Sequence, residues 1–124
     1  MIFLWGFAAT ELLALGGLVL PHSWMMWVHA AAGMGELPLA PVVGYLARAT
    51  SLLYAMHGAI LLFVSFDVAR YAKLIVFLGA LSALQGAAVL VIGLCEELPL
   101  WFTLGDGCAL VAGGVTVIVL GWKA

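Results

Sequence analysis

Charge is what this sequence has least of. Its 124 residues include only four Lys/Arg and six Asp/Glu, 8% charged against 67% hydrophobic. A water-soluble domain carries about 25% charged residues, so this chain has too few to clothe a globule, and lipid must solvate most of its surface. The net charge of −2 offers no basic face for nucleic acid and excludes that partner. Cysteine is nearly as scarce. Cys95 and Cys108 form no Cys-x-x-Cys pair, which removes a zinc ribbon or a thioredoxin-like motif. Their depths, one at a helix end and one about two turns into the next helix, argue against a disulfide and for small packing residues. There is no nucleophile elbow, phosphate loop, metalloprotease motif or dinucleotide fingerprint. No cofactor is implied and no catalytic residue is named by motif. No low-complexity tract or repeat is evident, and one domain is expected over residues 1–124.

What the chain does have is long apolar runs. A bilayer core of about 30 Å takes about 20 helical residues to cross. Four stretches reach that length: 2–20, ended by Pro21; 42–66, ended by Asp67; 74–95, ended by Glu96 and Glu97; and 100–121, which follows Pro99. Helices satisfy their own backbone groups in lipid, so the predicted fold is an all-α integral membrane four-helix bundle. The first stretch has no positively charged start, and Glu11 interrupts it, so it reads as a span rather than a signal peptide. Arg70 and Lys73 in the middle loop and Lys123 after the last span place that side in the cytoplasm, with both termini. Trp5, Trp122 and Tyr71 then fall at the inner surface, and Trp24, Trp27, Trp101 and Tyr45 at the outer one. Between the first two spans, residues 22–29 predict a short interfacial helix. Trp24, Trp27 and Val28 share one face, and His22, Met25, Met26 and His29 the other. Gly33, Gly35, Pro38 and Pro41 make the irregular link onward.

Lipid supplies no hydrophobic drive between helices, so close-packing small residues mark contact faces. Spacings of four predict such faces at Gly79, Ala83 and Ala87, flanked by Ser82 and Gly86, and at Ala109 and Gly113. On the second span, Ser51, Tyr54, Ala55, Gly58 and Ser65 share a side.

Polar groups inside a span cost about 2.5–3.5 kcal/mol each at the centre, so Glu11, Arg48, His57 and Asp106 need partners. Matched depth predicts an Arg48–Asp106 ion pair, with Glu36 and Glu97 as competitors nearer the surface. It reads as a buttress between helices or as an anion- or headgroup-binding arginine. Glu11, His57 and Gln85 fall at mid-span, with Tyr54 one turn from His57. They predict a midplane cluster that is either an interhelical clamp or a proton-exchanging pair. Arg48 and His57 lie about 180° apart at 100° per residue, so one pocket does not use both fully. His22, Met25, Met26 and His29 are chemically suited to Cu(I), but ordinary interfacial residues explain them more simply, and no metal is assigned. Asp67 and Arg70, three apart, read as a solvated surface pair.

The run from Arg48 to Gly58 (RATSLLYAMHG), the segment from Asp67 to Tyr71 (DVARY) and that from Pro99 to Gly107 (PLWFTLGDG) together resemble a small family of bacterial four-helix membrane proteins. The layout is similar to that of DoxX-like proteins. The resemblance implies a bacterial inner membrane and supplies no catalytic residues. The expected function is binding, either of a lipophilic or amphipathic ligand at an outward pocket around Arg48 and Asp106 or of a membrane partner, with lipids and a second copy as further partners. The alternatives are an oligomeric transporter or proton channel using Glu11 and His57, and an intramembrane enzyme drawing on Glu11, His57 and Tyr54.

Overall fold

The computed structural model describes residues 2–123. Those residues are mostly helical, with no strand among them. Four helices are long and apolar enough to cross a membrane: α1 (Ile2–Val19), α3 (Pro41–Val64), α4 (Val68–Cys95) and α5 (Leu100–Trp122). The short α2 (His22–Ala31) lies between the first two. The chain gathers into two compact units, Ile2–Leu62 and the part from Phe63 onward. All five tryptophans are exposed, as side chains destined for an interfacial belt are.

Local chemistry sets each boundary. The α1 helix stops at Leu20, which is extended at ψ 126° because the following Pro21 disfavours the helical region for its neighbour. Pro41 opens α3 at the first helical position, where its missing N–H costs nothing. The α4 helix begins six residues before the expected Leu74 because Asp67 caps it, accepting from the Arg70 backbone N–H at 3.1 Å. The Asp67–Arg70 relation is therefore an N-cap rather than a side-chain pair, and the Arg70 guanidinium lies over the Tyr71 ring at 5.6 Å.

Two helices end in the same motif with different residues. At the end of α2, Gly33 N–H donates to Ala30 and Met34 N–H to His29; Gly33 holds a φ of 75°. At the end of α4, Glu97 N–H donates to Leu94 and Leu98 N–H to Gly93; Glu97 holds a φ of 54°. Both are Schellman caps, which require a left-handed residue at that step. Glycine takes it freely, whereas a glutamate pays about 1–2 kcal/mol.

In the Ile2–Leu62 unit, α1 and α3 run antiparallel. Gly58 meets Ala8 and Glu11, and Gly17 meets Ser51. A Cβ at Gly58 would lie 2.9 Å from Ala8 O and from Glu11 Cβ, and one at Gly17 would collide with the Ser51 hydroxyl. The face predicted on the second span is the buried one: Ala55 and Ser65 are buried, and Ser51 and Tyr54 half-buried. In α1 the helix tightens to a 3-10 turn over Leu13–Leu15, just after Glu11 and before the Gly16–Gly17 pair.

In the second unit, α4 and α5 form an antiparallel hairpin closed on glycine. Gly79, Gly86 and Gly93 recur every seven residues on α4, and Gly107, Gly114 and Gly121 do so on α5. They interlock. A Cβ at Gly114 would sit 2.5 Å from Ala83 N and Gly79 O, one at Gly86 2.7 Å from Gly107 O, and one at Gly93 2.7 Å from the Thr103 side chain. The sequence thus does contain a recurrence, a glycine heptad of the kind that keeps one helical face in register. It also corrects the expected faces. Ser82, Gly86 and Gly113 are buried, but Ala87 and Ala109 are exposed. Steps of four drift about 40° each at 100° per residue, whereas steps of seven drift only about 20°.

Candidate functional site

The closest polar contact joins Glu11 and His57, with Oε2 2.6 Å from Nδ1. Glu11 is buried and His57 is 24% exposed at its side chain. Gly58 makes this contact feasible, since it lets α3 touch the α1 backbone beside Glu11. Among the described residues this is the one carboxylate–cation pair within 4.0 Å. Its geometry suits an interhelical clamp and also suits a carboxyl and an imidazole that share a proton. Tyr54, one turn away, is half-buried. Gln85, expected to complete the cluster, is instead exposed on α4. Its wheel position lies beside the glycine seam, not on it.

Arg48 does something the sequence reading missed. Its Nε donates to Leu18 O at 3.2 Å, Nη2 to Leu20 O at 3.2 Å and Nη1 to Gly44 O at 3.4 Å. Leu18 and Leu20 close the α1 helix, whose last carbonyls have no intrahelical donor. Pro21 deepens that deficit, having no N–H to offer. A cation is favoured at this end of a helix dipole, so Arg48 caps α1 from another helix. Asp106, its expected partner, is half-buried on α5 in the other unit, and the placed Arg48 donors go to backbone. Arg48 thus holds the carbonyls that end α1. The usable signal was a proline-ended span needing donors and a single arginine in the next helix at that end.

The second missed residue is His22. The space a Cβ would take at Gly44 is 3.1 Å from Arg48 Nη1 and 3.9 Å from His22 Nδ1, so the imidazole and the guanidinium meet over one glycine. His22 Nε2 is buried without a hydrogen-bond partner. An arginine has five N–H donors, and three are used here, so two remain on the guanidinium. Arg48 and His22 are a cluster separate from Glu11 and His57, as the opposed wheel positions of Arg48 and His57 implied. His29, grouped with His22 as a possible Cu(I) ligand, turns to its own loop, with Nδ1 3.1 Å from Gly35 O. The described residues hold no group of three or more His, Cys, Asp or Glu poised for a metal. On the face of α2 away from His22, Ser23, Trp24 and Trp27 bound an open hollow of about 520 Å³. Sharing Trp27 with it, Met26, Trp27, Ala30, Glu36, Leu37 and Leu39 line a cleft of about 420 Å³.

No protein-family model, curated protein or solved structure matches this chain.

Proposed function

We propose that this is a multi-pass membrane protein that binds an amphipathic anion, with the headgroup at Arg48 and His22 and the tail in the surrounding lipid. The observation that carries the reading is the Arg48 guanidinium, held by three carbonyls with two N–H donors left over and flanking the same glycine, Gly44, as His22, whose Nε2 is unpartnered. Its orientation is fixed before any ligand arrives, so little ordering remains to be done on binding. A guanidinium donates to phosphate or carboxylate oxygens in parallel pairs. The imidazole adds a donor when it carries a proton on Nε2. Trp24 and Trp27, exposed on the opposite face of the same short helix, have the amphipathic rings that hold it at an interface. The Lys/Arg distribution supports both termini being cytoplasmic, which turns the Arg48 site outward.

Native mass spectrometry of the protein released with its own lipids tests this. A retained anionic amphiphile, lost in Arg48→Ala and in His22→Ala while the helical content persists, is expected. Retention unchanged in both variants contradicts the proposal.

The 2.6 Å Glu11–His57 contact favours a second reading, proton exchange along an oligomeric assembly, because a carboxyl and an imidazole in hydrogen-bond contact pass a proton readily. Proton flux into liposomes that falls to background in Glu11→Gln is its signature. Equal flux in both proteins removes it.

A further inference from the structure

Independently of the anion site, we infer that a second copy of this chain docks on the α4 face formed by Leu81, Gln85, Ala88 and Ile92, with the two Gln85 amides hydrogen-bonded to each other. The hydroxyls of Thr10, Ser51, Ser82 and Thr116 all turn back on their own helices, to Gly6, Ala47, Leu78 and Ala112. Gln85 makes no such bond among the described residues. It is exposed near the middle of a 28-residue helix whose flanks are apolar. A primary amide carries two donors and an acceptor, and leaving these unmet in hydrocarbon costs several kcal/mol.

What meets the amide best is another amide at the same depth, and a second copy brings one by symmetry. Across a two-fold axis along the membrane normal, residue i faces its equivalent. Each Gln85 Nε2 then donates to the other's Oε1, closing a ring of two hydrogen bonds. The surroundings have the right period. Leu81, Gln85, Ala88 and Ile92 step by four, three and four, the spacing of a helix–helix seam, and Leu74 and Cys95 continue it at either end. Leu81 is 43% and Ile92 57% exposed, and Ala88 is exposed too. Ala88, one turn from the amide, is small enough to let two backbones approach. A single polar residue in such a seam fixes register and copy number.

The experiment uses full-length protein in its native membrane at low expression. Cys95 and Cys108 are replaced by serine, and one cysteine is returned at Ala88 or at its neighbour Ala87, which shares the depth but lies about 100° round the helix. Copper phenanthroline with oxygen is the oxidant, and dimer formation is timed. Ala88→Cys is expected to cross-link at least about tenfold faster than Ala87→Cys, and Gln85→Leu to remove about a tenfold advantage, since interhelical polar bonds in lipid contribute about 1–2 kcal/mol. Leucine at 85 suits lipid, so loss of folding does not explain that loss. Equal rates at 87 and 88, cross-linking indifferent to Gln85→Leu, or no dimer at either position would each overturn the inference. The last would leave the amide to a partner within one chain.

Discussion

The two units of the chain hold their helices together by different means. In Ile2–Leu62 the joint is polar: Glu11 grips His57 on the next span, and Arg48 reaches back to the carbonyls that end α1. From Phe63 onward the joint is steric: glycines seven apart on α4 and α5 bring backbone against backbone. Both answer one physical problem. Lipid tails are as apolar as leucine, so neither pair of helices gains from burying hydrophobic surface. Hydrogen bonds or dispersion at close range must do the joining. The difference matters because the glycine hairpin has little chemistry to offer, whereas the polar unit carries every side-chain cluster with donors or protons to give. The Thr103 hydroxyl is buried without a hydrogen-bond partner against Gly93.

The contrast can be broken most sharply at Gly114 or Gly86. Leucine at either drives a Cβ into backbone atoms 2.5–2.7 Å away, and overpacking of this kind costs about 3 kcal/mol or more. Denaturant unfolding followed by tryptophan fluorescence should show the hairpin lost. Leucine at Gly105, with open space around it, should shift stability by less than about 0.5 kcal/mol. In the polar unit, Glu11→Ala should cost about 2 kcal/mol, with about 1–2 kcal/mol of it as coupling to His57 in a double-mutant cycle. Absence of coupling would reduce that contact to coincidence. Arg48→Lys keeps the charge but not the fork that spans three carbonyls, so a loss of about 1 kcal/mol is expected by the same unfolding assay. The smallest effect is a gain. Glu97→Gly relieves the left-handed cap of α4 and should stabilise by about 1 kcal/mol, whereas Gly33→Ala should lose a similar amount at the equivalent step of α2.

The spans were legible because a helix long enough to cross lipid is written in one-letter apolarity. Their ends were legible where proline or glycine punctuates, at Pro21, Gly33 and Pro41. The start of α4 was not, because Arg70 and Lys73 inside its first turns resemble a loop, and only the Asp67 cap shows that the helix already runs there. The Glu11–His57 contact followed from matching depth, since depth is all that decides which mid-span groups can meet. Matching depth also suggested Gln85 for that cluster and Asp106 for Arg48. It is blind to azimuth, and Gln85 is exposed on α4, off the glycine seam. It is equally blind to backbone acceptors, which is why the carbonyls of Leu18 and Leu20 were not considered for Arg48. The glycine heptad was present in plain view, hidden by looking only at steps of four.

The central claim is that Arg48 and His22 form a preorganised site for an amphipathic anion. Thermal unfolding of the purified protein in a neutral detergent, titrated with dodecyl phosphate, dodecanol or inorganic phosphate, tests it most directly. A saturable rise in Tm with dodecyl phosphate, much weaker with either half alone and abolished by His22→Ala, is the predicted result. A rise that dodecanol reproduces, or one that survives in His22→Ala and Arg48→Ala alike, would contradict it.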